Sequence, residues 1–332
     1  MNIASTKRAP SVPTGAGAAD LTVVGGAGHV GIPLVLALAD AGLTVNVNDR
    51  NETALAILSS GKLPFIEHGA APLLARALEG RRLVFTSLPN GISRTGPVVI
   101  TIGTPVDEFL NPVQAQLKPC IDSLLPHISD DQLLILRSTV YPGTTDWLQD
   151  YLTRRGRKNR VAFCPERVVQ GYGVKELREM PQIVSATTPE AEQEASALFR
   201  QIAPELVTVR PIEAEFAKLF NNAYRYIEFA ATNQFYMIAK SAGADYQAIM
   251  RAMKQNYPRA KNFPGPGFSA GPCLFKDTMQ LADPALLPLD EVIDRSDILI
   301  LCAPQSVYAQ ADLKGKPVID GWGFLKNANV VY

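Results

Sequence analysis

Leu21-Thr22-Val23-Val24-Gly25-Gly26-Ala27-Gly28-His29-Val30-Gly31, with the apolar run Ile32 to Ala41 directly behind it, decides the fold of this chain. A short β-branched run ends in glycines, and a helix-forming run opens where they stop. Gly26-Ala27-Gly28-His29-Val30-Gly31 has the spacing GxGxxG, whose glycines permit a tight turn and the close approach of a pyrophosphate to a helix N-terminus. Alone the hexapeptide is a weak signal, and its position between strand and helix strengthens it. Val45-Asn46-Val47 forms the next strand, and Asp49 closes it eighteen residues after Gly31. A carboxylate at that place takes ribose hydroxyls and repels a 2′-phosphate, which favours NAD over NADP, although Arg50 beside it pulls the other way. Gly26, Gly28, His29, Val30, Gly31, Asp49 and Arg50 are therefore the expected cofactor contacts. Thr101-Ile102-Gly103-Thr104-Pro105 ends a further strand, so Thr104 and Pro105 are either a second contact or an ordinary turn.

Outward from this unit the alternation continues. Apolar runs at Val98–Ile102, Leu133–Leu136 and Val161–Phe163 are interleaved with helical stretches at Gln114–Leu125 and Thr145–Arg154. That pattern predicts an α/β fold with a doubly wound, Rossmann-like parallel sheet over residues 21–210. Ile212 to Ala242 keeps helical spacing through Phe216, Leu219, Phe220, Ala223, Ile227, Ala230 and Ala231, without Gly or Pro. Gly243 breaks this long helix, and Asp245 to Met253 forms a second. Residues 211–282 are read as a central helical segment. Residues 283–332 hold two buried-strand patterns, Asp297–Leu301 and Pro317–Asp320, too few for a stable domain of their own. They read as a remnant of a second α/β domain.

The charge balance limits the partners. Lys+Arg and Asp+Glu both total 32, so no basic field is available for nucleic acid or an anionic membrane. The apolar run from Ile32 to Leu43 is interrupted by Asp40 and is too short for a bilayer. Residues 1–20 lack an apolar h-region and read as a disordered tail rather than a signal peptide, and a cytoplasmic protein is expected. Four cysteines (120, 164, 273, 302) lie far apart with no CxxC, and the chain has three histidines, so no metal site is expected. Reduced, mostly buried thiols are the ordinary reading for such cysteines.

Cys273 stands apart because of its surroundings. Phe263 to Cys273 contains three glycines and three prolines, which makes it a shaped loop. Lys276 and Asp277 follow the thiol, and a nearby cation lowers a thiol pKa. The competing reading is a structural buried cysteine. Ser138-Thr139-Val140-Tyr141-Pro142-Gly143-Thr144-Thr145 follows a buried strand, where Thr139 is either catalytic or part of a helix cap. Phe163-Cys164-Pro165-Glu166-Arg167 brings Glu166 to a strand end, with an ordinary surface ion pair to Arg167 as the alternative. Lys218 and Asn222 share a helix face with Glu215, and a solvated charged face is the default for such residues.

In order, these motifs resemble the UDP-glucose/GDP-mannose dehydrogenase family, the four-electron nucleotide-sugar 6-dehydrogenases. The matching pieces are Gly26–Gly31, Thr104-Pro105, Ser138-Thr139 with Pro142-Gly143-Thr144, Pro165-Glu166-Arg167 with Gly171, Glu215-Phe216-Ala217-Lys218 with Asn221-Asn222, and Gly265–Asp277. The resemblance runs from about residue 20 to 282. It implies that Cys273 is the nucleophile, that Lys218 and Asp277 assist the first oxidation, and that Thr139 and Glu166 position or activate water, Thr139 beside the NAD. Asn222 and Lys276 would support substrate and intermediate, and Arg167, Phe268 and Gly271 would line the substrate. A UDP-sugar rather than a GDP-sugar, and a homodimer through the long helix, are the implied partners.

Two departures from the family pattern stand out. The loop reads Gly267-Phe268-Ser269-Ala270-Gly271-Pro272-Cys273-Leu274-Phe275-Lys276-Asp277, where the family more often has Gly-Phe-Gly-Gly-Ser-Cys-Phe-Pro-Lys-Asp. Thiol, cation and carboxylate keep their register, so sugar specificity rather than chemistry is put in doubt. Near Ala282 the resemblance skips much of the C-terminal nucleotide-binding domain and resumes at Leu289–Leu325. Two other readings compete: a non-catalytic NAD-binding remnant without the sugar-nucleotide grip, and a single-hydride dehydrogenase of the 6-phosphogluconate or hydroxyacid type. The last leaves Cys273 and its loop without a role.

Overall fold

A computed structural model describes residues 19–103, 116–267, 274, 277–278, 293–301, 310–320 and 325. The chain divides into two compact units, one built from residues up to Thr104 and from Gln114 to Lys218, the other from Pro105–Val113 and Leu219 onward.

In the first unit the alternation is β1 (Leu21–Val24), α1 (Gly31–Asp40), β2 (Val45–Asn48), α2 (Glu52–Ser59), α3 (Ala70–Glu79), β3 (Leu83–Thr86), β4 (Val98–Ile100), α4 (Leu117–Leu124), β5 (Leu133–Leu136), α5 (Thr144–Arg154), β6 (Arg160–Phe163), α6 (Gly173–Glu179), β7 (Gln182–Ala186), α7 (Pro189–Phe199) and β8 (Leu206–Thr208). Among the described residues these strands form one sheet of order β3-β2-β1-β4-β5-β6-β7-β8. Every pairing is parallel except β6 with β7, where Ala162 faces Ala186 and Phe163 faces Ser185. The order reverses at β1 and β4, so a crevice opens at the carboxyl ends of these strands, where α/β sheets bind ligands.

Strand β5 shows why the parallel strands read as unbroken apolar runs. Leu133 and Ile135 enter a core shared with α1, α3 and α7, while Leu134 and Leu136 enter the opposite core with α4, α5 and Ala214. Both faces are covered, so alternation disappears. Ala19 and Asp20, expected in the tail, already belong to the folded unit: Ala19 is buried, its carbonyl accepts from Ser93 Oγ at 3.1 Å, and Asp20 accepts from the Thr44 amide at 2.7 Å.

α8 (Pro211–Ser241) runs from the first unit into the second without a break. In the second unit, Asp245 caps α9 (Tyr246–Lys254) by accepting from the Gln247 amide, and Ala239, Tyr246 and Met250 make a small core. Tyr246 also meets Tyr236 edge to face, with ring centroids 5.4 Å apart. β9 (Leu299–Leu301) and β10 (Val318–Asp320) form within the two stretches read as strands and pair in parallel with each other. Among the described residues no helix is long and apolar enough to cross a membrane.

Candidate functional site

The glycine turn after β1 is dictated by close backbone packing. Gly25 and Gly26 both donate to Asn48 O, at 2.8 and 3.2 Å, and Gly28 donates to Gly25 O at 3.1 Å. A Cβ on Gly31 would lie 2.4 Å from Gly25 O and 2.6 Å from Gly26 Cα, and one on Gly26 would meet Val23 O at 2.9 Å. Val30 at the N-cap of α1 supplies no side-chain cap, the Ile32 amide turns back to Gly28 O at 2.9 Å and Pro33 has no N–H, so what the helix start offers an anion is chiefly its positive dipole end. Asp49 sits at the turn itself: its Oδ2 accepts from the Ala27 amide at 3.0 Å and its Oδ1 from the Asn51 amide at 2.9 Å. Exposed His29 stacks on Phe65 with ring centroids 3.8 Å apart. Val30 is half-buried and Arg50 exposed at the same edge. A cradle that a Cβ would fill, a helix N-terminus behind it and a carboxylate at the next strand end together fit a dinucleotide. Thr104 and Pro105 lie outside the described residues. Their neighbour Thr101 crosses to β1, donating from N and Oγ1 to Val24 O at 2.8 and 2.9 Å.

The ends of β5 and β6 deliver polar groups to the same sheet edge. Thr139 is half-buried after β5, and Ser138 Oγ donates to Ile102 O at 2.5 Å. Glu166 follows β6, half-buried, with its Oε1 accepting from the Val168 amide. Burial pushes its carboxyl above the usual glutamate range, against the pull of Lys218 first and Arg137 second. Arg167 does not confine itself to a surface turn, since its guanidinium donates to the Pro181 carbonyl. Burial also pushes Cys120 up to about 11 and Cys164 up to about 12, so both are inert packing thiols.

The charged face of α8 is not solvated. Glu215, Lys218 and Asn222 are 1%, 8% and 8% exposed. In the first unit Glu215 caps the start of α5: its carboxylate takes the Gly143 amide at 2.6 Å, the Thr145 amide at 2.8 Å and Thr145 Oγ1 at 2.6 Å. The default reading of that face is thereby corrected, because periodicity gives a shared face and not what covers it. Burial raises the Glu215 pKa despite these bonds. Within this unit Lys218 lies in electrostatic reach of Glu166.

In the second unit Asn222 Nδ2 donates to Asp277 Oδ2 at 2.5 Å, and Asp277 is fully buried. Asn233 makes a reciprocal pair with the Gly/Pro segment: Nδ2 to Gly267 O at 2.9 Å, and the Gly267 amide to Oδ1 at 2.8 Å. Phe268, Gly271, Cys273 and Lys276 lie outside the described residues. Asn233 and Arg137 are residues that motif reading passes over. The signal for Arg137 is a cation ending an otherwise apolar strand run, and Asn233 carries none. Among the described residues no group of His, Cys, Asp and Glu could hold a metal ion.

Comparison with known proteins agrees with this architecture. Residues 19–203 match the model of the NAD binding domain of the UDP-glucose/GDP-mannose dehydrogenase family, and residues 212–286 match its central domain. A UDP-N-acetyl-D-mannosamine dehydrogenase from Methanococcus maripaludis is 29% identical over 76% of this chain and 58% of its own length. A UDP-glucose 6-dehydrogenase from Rickettsia typhi is 27% identical over 77% of this chain and 60% of its own length. The solved structure of a UDP-D-ManNAc dehydrogenase from Pyrococcus horikoshii superimposes with a TM-score of 0.73 and 25% identity, covering 79% of this chain and 64% of that one. The chain thus spans about 60% of the length of these curated relatives.

Proposed function

Since the chain belongs to the UDP-glucose/GDP-mannose dehydrogenase family, we propose that it oxidises the C6 hydroxymethyl of a UDP-hexose or UDP-N-acetylhexosamine to the carboxylate, using NAD. Gly26, Gly28, His29, Val30, Gly31, Asp49, Arg50, Thr104, Pro105 and Thr139 would hold the cofactor, which supplies the hydride acceptor for both oxidations. Residues 21–210 would be the cofactor domain, 211–282 the central segment and 283–332 part of a sugar-nucleotide domain.

The observation that carries this reading is the burial of ionisable and amide groups on α8 where a solvated face is the default. Lysine and aspartate are seldom buried unless paired, so the buried Lys218 and the hydrogen-bonded Asn222–Asp277 pair set this face apart from an ordinary solvated one. In the proposed sequence, Lys218 and Asp277 handle the hydroxyl proton in the first oxidation. The Cys273 thiolate then adds to the aldehyde carbon, giving a thiohemiacetal whose oxyanion Lys218 and Asn222 stabilise. After the second oxidation the thioester carbon is attacked by water, which Glu166 deprotonates and Thr139 orients, and the thiolate leaves. Arg167, Phe268, Gly271 and Lys276 would line the sugar nucleotide. Exposed Tyr224, Met237 and Ile238 on α8 support a homodimer through that helix. Zero net charge favours a small-molecule substrate over a nucleic-acid or anionic-membrane partner, and the reading is completed by a cytoplasmic enzyme of polysaccharide-precursor synthesis.

A second reading, an NAD-binding scaffold without the sugar-nucleotide grip, is favoured by the pairing of β9 and β10 in a sheet of two strands among the described residues. Titration with NAD and a panel of UDP- and GDP-sugars, followed by turnover, separates the two. The enzyme reading expects sugar-nucleotide binding and two NADH per uronate, with Cys273→Ser forming little uronate. One NADH with released aldehyde would remove the thioester, and NAD binding without sugar-nucleotide binding would favour the scaffold.

A further inference from the structure

Arg137 follows β5 directly and is only 1% exposed. An enclosed guanidinium is costly, and replacement of buried ions by apolar residues of similar size is often neutral or stabilising. Its hydrogen-bond partners among the described residues are neutral. Nη1 donates to Cys164 O at 3.1 Å and to Gln182 Oε1 at 3.0 Å, while Nε donates to none of the described groups. The guanidinium also lies 5.1 Å from the centroid of the Phe199 ring. A methionine could fill this space without the desolvation cost, so the charge calls for another explanation.

The explanation lies in what these bonds hold. Gln182, oriented by Arg137, donates its Nε2 to Pro165 O at 3.1 Å and to Ile183 O at 2.7 Å. The Glu166 amide reaches back to Arg137 O at 3.4 Å. Two successive carbonyls and the next amide of Cys164-Pro165-Glu166 are therefore held by one buried pair. Four charged groups face the Glu166 carboxyl: Lys218 on α8, Arg137 after β5, Glu176 on α6 and the adjacent Arg167. Burial raises the carboxyl's pKa, Lys218 and Arg137 oppose that, and Glu176 adds to it.

We propose that Arg137, braced on Gln182, is a positioning residue for Glu166, fixing the turn that carries it and setting a permanent positive charge within electrostatic reach of its carboxylate. This inference rests on Glu166 as the water-activating carboxylate of the proposed reaction, and its test does not depend on turnover. In the full chain labelled with ¹³C-glutamate, the Glu166 Cδ resonance is assigned by its loss in Glu166→Gln and titrated by NMR. Removal of a nearby opposite charge raises a carboxyl pKa, so Arg137→Met is expected to move the Glu166 midpoint up by about one pH unit. Arg137→Lys, which keeps the charge, is expected to leave the midpoint close to wild type. Gln182→Met keeps the charge and loosens the turn, so its Glu166 amide exchanges at least ~10-fold faster in proportion to a net hydrogen-bond loss.

An unchanged Glu166 midpoint in a folded, NAD-binding Arg137→Met chain would overturn the electrostatic half. An unchanged Glu166 amide exchange rate in Gln182→Met would overturn the brace. If Arg137→Met does not fold, the Gln182→Met exchange rate decides the brace. In that case a Glu166 midpoint in Arg137→Lys raised as far as full charge loss predicts overturns the role of the charge. Wild-type turnover by Glu166→Gln would sink the proposed water activation and leave the NMR result for Arg137 standing.

Discussion

Two glycine-rich segments, one in each unit, look alike in composition and are built on different physics. In the turn after β1 the glycines are there because the backbone packs on itself: a Cβ on Gly31 has no space between Gly25 O and Gly26 Cα. In the Gly/Pro segment after α9, a Cβ on Gly265 or Gly267 would meet nothing within 4 Å. That segment is held from outside, by the Asn233 side chain on Gly267. Glycine in the first case permits close approach of a ligand to a helix N-terminus, and in the second it permits a path between prolines. The same residue type thus marks a rigid cradle in one unit and a tethered strap in the other.

The sharpest break of this comparison is Gly31→Ala. The added methyl would meet main-chain atoms of Gly25 and Gly26, which cannot rotate aside as a flexible side chain does. Overpacking of this kind costs about 3 kcal/mol, and it displaces the turn that would hold the pyrophosphate. A thermal melt should show the destabilisation, and calorimetry should show NAD affinity lower by at least ~10-fold, the equivalent of ~1.4 kcal/mol. Unaltered NAD affinity would mean that the cradle is not a binding surface.

Asn233→Ala tests the tether. It removes two hydrogen bonds to the Gly267 backbone, each worth about 1 kcal/mol net. Local opening should become easier by about 2 kcal/mol, which is roughly a 30-fold faster exchange of the Gly267 amide. The global melt should move far less than in Gly31→Ala, because neither Asn233 nor Gly267 belongs to a hydrophobic core cluster. Exchange unchanged from wild type would show that the segment is held by something other than Asn233.

The cradle is legible in the sequence and the tether is not, for a physical reason. β1, the glycines and α1 are consecutive, and buried parallel strands such as Leu133–Leu136 declare themselves as apolar runs. Asp49 follows at a spacing set by one helix and one strand. β7 and β8 escape the same reading, since β7 opens on Gln182 and β8 is short and largely exposed. The antiparallel turn of β7 against β6 is a tertiary fact with no local signature. On α8, periodicity gathers Glu215, Lys218 and Asn222 on one face, and only packing reveals that the face is buried. Arg137 reads as the cation that ends a strand, and its contacts with Cys164 and Gln182 span 27 and 45 residues. The motif residues Cys273 and Lys276 rest on sequence alone, since they fall outside the described residues.

Gly265→Ala should have the smallest effect, and its smallness is the informative part. Gly265 lies between Pro264 and Pro266, and a residue before proline is driven to extended backbone, where alanine is comfortable. Its φ is not among the positive values found for the turn glycines, and its Cβ would enter open space. Alanine there also narrows the unfolded ensemble, which stabilises by about 0.4–1 kcal/mol where the native conformation is compatible. The expected outcome is therefore a melting temperature equal to or slightly above wild type, with NAD affinity unchanged. A loss of more than about 1 kcal/mol would be at odds with alanine's fit to this backbone. It would mean that close packing, and not only the tether at Asn233, constrains the Gly/Pro segment, which would remove the distinction between the two loops.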